Sequence, residues 1–379
     1  MPSASDLALA WKTIAHFFGE EAPSATASPE LLDRVATLHR LDAALAEPKL
    51  TPHSPEHRVP AELWANWRGA HQGTLAQSLR WAEPLRAALA ALAPLEAVVF
   101  KGAALAELVY PSPGARPMVD VDLLVRGKDA PDAAARLQAL GYRCYYWGHP
   151  FFHRAYYYEW PLAGPDLEID LHRAFTQAAR VAADYGALFE RSLPWPSLAP
   201  NARLLAPEDA LIAQALQPAR NELSPSGCPA IGLLDLKLMI EREGPFWGSA
   251  GGPALDLSGV ARRAEAWGAG AFVYAGLGYA VRLFPSLAAR AAAAQPALPR
   301  WLSREIDRWI IDRAFPPPLA DPRWRDVWLR KALVTSPGAL ARLAAQRAAG
   351  LATVFRRRLF EPRPRLERSV TPLGKRLFG

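Results

Sequence analysis

Two short runs of alternating acids hold the chemistry in this sequence. Val119-Asp-Val-Asp-Leu-Leu-Val125 reads as a strand, on which residues i and i+2 share a face, so Asp120 and Asp122 point the same way. Val119, Val121 and Leu123 then take the opposite face, against the core. Adjacent carboxylates resist joint ionisation unless a cation compensates them. Mg²⁺ suits such a pair, because it takes carboxylates together with substrate phosphates and water. By itself an Asp-x-Asp is more readily two solvated acids on an edge strand. The second run, Leu167-Glu-Ile-Asp-Leu-His172, places Glu168, Asp170 and His172 on one face. If the two strands share a sheet, Asp170 comes beside Asp120 and Asp122. Three carboxylates around two divalent cations suit in-line phosphoryl or nucleotidyl transfer, one ion activating the attacking hydroxyl and the other stabilising the leaving pyrophosphate.

A third component lies upstream. Glu96-Ala-Val-Val-Phe100 is a short apolar strand, Lys101-Gly102 follows it, and AALAELVY continues as a helix. Glycine permits close backbone approach, a helix N-terminus attracts phosphate, and lysine adds positive charge. An ordinary strand-to-helix turn has the same residues, so the signal comes from the order of the three parts. Among other candidates, His149 and His153 flank Phe151-Phe152 and line an acceptor pocket with Tyr145, Tyr146 and Trp147; a zinc site is disfavoured by Pro150 and the lack of a third ligand. His172 shares the Asp170 face and is a further pocket candidate, with a structural hydrogen-bonded histidine as the equal alternative. Asp235, alone among apolar neighbours in IGLLDLKLMI, reads as a structural acid.

The elements that must position these groups form an α+β chain. Leu7, Trp11, Ile14 and Phe18 mark a first helix, and a second is expected from Pro29 to Ala46. A helix through Trp64 and Trp67 should kink or restart at Pro84 before Leu85, Leu89 and Leu92. Strands are expected at 96–100, 118–125, 142–147, 155–160 and 167–172, with an alanine-rich helix at 130–140. The chain then becomes helical. Four regions follow: N-terminal helices (1–94), an α/β core (95–178), a helical region (179–336) and a basic amphipathic tail (337–379).

The pattern VVFKGAALAELVYP, ARPMVDVDLLV, LQALGYR and LEIDLHRAF resembles the bacterial uncharacterised nucleotidyltransferase family, of the DNA polymerase beta-like nucleotidyltransferase superfamily. The resemblance covers about residues 95–245. It implies a small mixed sheet with helices on one side and Mg²⁺-dependent transfer of a nucleoside monophosphate from an NTP such as ATP. Carried over by position, Asp120 and Asp122 match the metal-binding pair and Asp170 the third acid, beside the acceptor. Lys101-Gly102 stands where the superfamily usually has a nucleotide-binding Gly-Ser. Arg116 matches a basic position able to approach phosphate oxygens. The Lys-Gly departure keeps a second reading open, a degenerate nucleotidyltransferase fold that binds nucleotide or a partner. A third reading, an interaction protein, rests on the helical surface and the tail.

Composition bounds the remaining function classes. The net charge of +7 is uneven: residues 331–379 hold 11 Lys or Arg against Glu361 and Glu367, so the body is close to neutral. That disfavours a long nucleic acid, which needs many phosphate contacts, and favours a small-molecule, peptide or protein acceptor. The tail is expected to pack on the body, with weak membrane-surface or partner contact as the alternative. Two cysteines exclude a disulfide framework, and with no apolar run of ~18 residues the expected location is the cytoplasm.

Overall fold

The computed structural model describes residues 2–145, 158–176, 181–220 and 230–308, with single positions 341, 345 and 348. The expected pocket residues Tyr146, Trp147, His149 and His153, and the basic tail apart from those three positions, lie outside this description.

The N-terminal layer comprises α1 (Ala4–Phe17), α2 (Pro29–Leu38), α3 (Asp42–Leu45) and α4 (Ala61–Leu92). Ser3 caps α1 in a reciprocal pair with Asp6, and Ser28 caps α2 ahead of Pro29, satisfying amides that have no partner inside the helix. The helix expected across 29–46 breaks in two, because Arg40 adopts a left-handed backbone with φ of 57°. Pro84, by contrast, leaves α4 continuous.

The sheet has seven strands in the order β3-β4-β5-β2-β1-β7-β6. These are β1 (Ala97–Phe100), β2 (Val121–Leu124), β3 (Arg143–Cys144), β4 (Glu159–Ala163), β5 (Glu168–His172), β6 (Leu193–Pro194) and β7 (Ala202–Leu204). Between them lie α5 (Gly102–Leu108), α6 (Ala130–Ala139) and α7 (Tyr185–Arg191). β2 is antiparallel to β1 and parallel to β5, so the sheet is mixed. β6 and β7 come from sequence read as purely helical. Three residues or fewer give no period to detect.

The C-terminal layer contains α8 (Pro207–Arg220), α9 (Ile231–Glu241), α10 (Leu257–Ala266), α11 (Gly270–Leu283), α12 (Ala288–Ala294) and α13 (Arg300–Ile306). In α11, Gly276 lies so near α8 that a Cβ would stand 2.1 Å from the Ala215 carbonyl oxygen. One apolar core runs from Trp11 and Trp67 through Phe100, Leu123 and Ile169 to Leu236 and Phe272. It joins both helical layers to the sheet and fixes their side chains relative to the strands. No helix among the described residues is long and apolar enough to cross a membrane.

Candidate active site

Register sets the site. Asp122 on β2 lies directly opposite Asp170 on β5, and Phe100 at the end of β1 pairs with Asp122 from the other side. The chain leaves β1 at the next residue, Lys101, whose φ of 51° turns it into α5. That turn sends the ammonium back over the sheet. Lys101 Nζ donates to Asp122 Oδ1 and stands 3.3 Å from His172 Nε2. His172 is fully buried, 2.8 Å from the same Asp122 oxygen, with Glu159 of β4 a further 3.6 Å away from its Nε2.

Asp120 sits in the bend before β2 rather than on the strand, and consequently Val119, expected in the core, is exposed. The three aspartates are treated unequally. Burial would raise the Asp122 carboxyl, but the Lys101 charge and the His172 hydrogen bond hold it far below the usual range. Burial, then Asp122, pushes Asp120 up to about 6. Burial, then Asp120 and Glu159, pushes Asp170 well above its ordinary value. Burial and the Lys101 charge lower the His172 imidazole, so the neutral ring can give its N–H to Asp122.

A divalent ion fits these residues. One ligand atom each of Asp122, Asp170 and His172 lies within 4.8 Å of the others. Among the described residues no hydrogen bond or ion pair reaches the Asp120 or Asp170 carboxylate. The charges of Lys101 and Arg40 offset their repulsion only in part, which leaves the rest for a bound cation. The expected trio of Asp120, Asp122 and Asp170 is brought together at one edge of β2 and β5, with His172 beneath it as a clamp on Asp122.

The expected phosphate-facing groups lie otherwise. Arg116 is committed to Asp235 of α9, through Nε to Oδ1 at 3.1 Å and Nη2 to Oδ2 at 2.7 Å. Tyr110 and Gln214 complete that carboxylate at 2.7 and 3.0 Å. Burial opposes the Arg116 charge, but Asp235 outweighs it and raises the guanidinium further. Arg116 therefore ties the segment before Asp120 to the C-terminal layer. Gly102 is buried beneath it: a Cβ there would stand 3.0 Å from Arg116 Nη1 and 3.1 Å from Met118 Cγ. Lys101 is held by Asp122, as described.

Two groups escaped the sequence reading. Glu159 enters because β4 pairs with β5 so that it faces His172. Arg40 enters from the N-terminal layer, within electrostatic reach of Arg116 and Asp120. Burial, then Arg116, lowers its guanidinium, while Asp120 opposes the shift. The one sequence hint was Asp42, an acid suited to open a new helix just after it.

Comparison with known proteins agrees with this geometry. The pattern of a family described as uncharacterised nucleotidyltransferase matches residues 25–285, spanning the N-terminal layer from α2 onward, the sheet and most of the C-terminal layer. No curated protein and no solved structure matches the chain.

Proposed function

The chain belongs to the uncharacterised nucleotidyltransferase family, and from that premise we propose that it transfers a nucleoside monophosphate from an NTP to an acceptor nucleophile in a Mg²⁺-dependent reaction. Membership in a nucleotidyltransferase family implies an NTP substrate and a divalent metal. The observation that carries the finer reading is the register of β2 on β5, which sets Asp122 against Asp170 with Asp120 two residues away. Asp120, Asp122 and Asp170 would hold Mg²⁺, for which two ions are the expectation. Bound there, the metal would supply charge to the phosphates and lower the pKa of the acceptor hydroxyl. Lys101 and His172 keep Asp122 ionised and aimed. Asp170, at the open side of the pair, would take or orient the acceptor's proton. The acceptor is proposed to be a small molecule, peptide or protein.

Calorimetry with the four NTPs and Mg²⁺ tests this reading. Metal-dependent binding of at least one NTP, abolished in Asp120→Ala/Asp122→Ala, supports it; no binding to the wild type overturns it. One observation favours the second reading, a degenerate scaffold that binds nucleotide or a partner. Lys101 already neutralises Asp122, as an internal cation would in a site that had given up its metal. The same titration without nucleotide separates the two, because a degenerate scaffold takes up no Mg²⁺ or Mn²⁺.

A further inference from the structure

Every hydrogen bond that the described residues make with the Asp122 side chain falls on one of its two oxygens. Lys101 Nζ and His172 Nε2 both meet Oδ1, the second at 2.8 Å, and none reaches Oδ2. A carboxylate oxygen has two lone pairs to offer donors or metal ions. Oδ1 is thus filled from inside the fold, and Oδ2 is the atom left for a ligand.

The Lys101 ammonium is built into this position. Lys101 leaves β1 with φ of 51° and ψ of −130°, a backbone that residues other than glycine rarely adopt, and α5 starts at the next residue. Its carbonyl accepts from the Leu105 amide at 3.0 Å, which locks the turn. Nζ lies 4.9 Å from the centroid of the Phe100 ring, and that ring stands edge-on to His172 at 5.0 Å. The ion pair is almost wholly withdrawn from water, with the Lys101 and Asp122 side chains 12% and 9% exposed. Strained backbone and a desolvated charge both cost stability, so glycine would be the easier residue here if the turn were all that mattered.

A carboxylate that bridges two metal ions must give an oxygen to each. We propose that the Lys101 ammonium is the second cation of this centre: it occupies Oδ1 of Asp122, and the centre takes a single divalent ion per chain, on Asp122 Oδ2 with Asp120 and Asp170, in place of the two expected above. This rests on the nucleotidyltransferase reading and specifies its metal requirement. The chain itself then supplies the charge that a second ion would bring, whether or not nucleotide is present.

The test is Mn²⁺ binding to wild type, Lys101→Met, Lys101→Gly and Lys101→Arg. Ions are counted by calorimetry on the protein alone, and electron paramagnetic resonance is read with and without an α,β-methylene analogue of each NTP. Wild type should take one Mn²⁺ per chain and show no spin-coupled pair in either state. Lys101→Met and Lys101→Gly free Oδ1 and should take a second ion, coupled to the first at the ~3.5–4 Å spacing of paired ions. Loss of the neighbouring positive charge should also tighten the first ion by about 10-fold or more. Lys101→Gly guards against misfolding, because glycine accepts this backbone freely. Lys101→Arg keeps a cation and should stay at one ion. A coupled pair in wild type, or a single ion of unchanged affinity in both Lys101→Met and Lys101→Gly, overturns the role of Lys101 and leaves the nucleotidyltransferase reading standing. If wild type takes up no Mn²⁺ with or without nucleotide, both fall together.

Discussion

Asp122 and Asp170 face each other across parallel strands, yet the protein holds one carboxyl far below its ordinary range and the other well above it. The difference is one of partners. Asp122 has Lys101 and His172, whereas Asp170 meets burial, Asp120 and Glu159. The pair is asymmetric before any ligand arrives, with one acid committed to charge and one held near a proton.

That asymmetry predicts opposite outcomes for the same substitution. Asp122→Asn strands the Lys101 ammonium in a buried site and should destabilise the protein by about 3–5 kcal/mol. Asp170→Asn removes repulsion and should raise the metal-free melting temperature. Both should reduce nucleotidyl transfer by on the order of 10³-fold, as loss of a metal-holding acid costs several kcal/mol. Denaturant melts with and without Mn²⁺ check the pair; equal destabilisation by both would refute the asymmetry.

The pH dependence follows from Asp120. Its folded value of about 6 lies above the ordinary 3.8, so its favourable contribution is complete below about 3.8 and lost as pH rises through about 6. Asp122 works in the other direction, its contribution present at neutral pH and lost only in strong acid. The metal-free protein should therefore melt at lower temperature at pH 7.5 than at pH 5. Divalent metal should reverse that slope, stabilising by ~2.7 kcal/mol at one hundred times its dissociation constant. In Asp120→Asn the pH 5 to 7.5 decline should shrink, which melting curves across that range would read directly.

The Arg116–Asp235 pair locks the segment before Asp120 to α9, with side chains 11% and 0% exposed. Asp235→Ala should cost about 3–5 kcal/mol, because it leaves a buried guanidinium and Tyr110 without their acceptor. The exposed Arg86–Glu83 pair on α4 is the internal contrast, and Glu83→Ala should change stability by about 0.5 kcal/mol or less. Urea denaturation of both variants is sufficient.

Gly102→Ala probes the same lock from below. The added Cβ would press on Arg116 Nη1, and Asp235 prevents that guanidinium from yielding. Destabilisation of about 1–3 kcal/mol is expected. The part due to Arg116 should vanish when Gly102→Ala is combined with Arg116→Ala while the Met118 contact remains, so a double-mutant cycle measures the coupling.

Much of this site was legible because it depends on period and order. Alternation in LEIDLH put Glu168, Asp170 and His172 on one strand face and that in MVDVDLLV put Asp122 on a strand, though Asp120 stays in the bend before it, and an apolar run before Lys101-Gly102 set a strand-to-helix turn beside them. These are local consequences of side-chain alternation, and they held as β1, β2 and β5. Other features had no local signature. Whether Arg116 faces a phosphate or Asp235 depends on a partner 119 residues away, and the pairing of Glu159 with His172 depends on strand register. The left-handed turn at Arg40 interrupts a stretch whose hydrophobic period runs on unbroken, because one residue's φ leaves no mark on composition. The sequence by itself determined that Asp122 and Asp170 lie on strands, with His172 on the Asp170 face. Only the tertiary structure decided which cation each acid receives, because burial and pairing are properties of the packed layers rather than of any one segment.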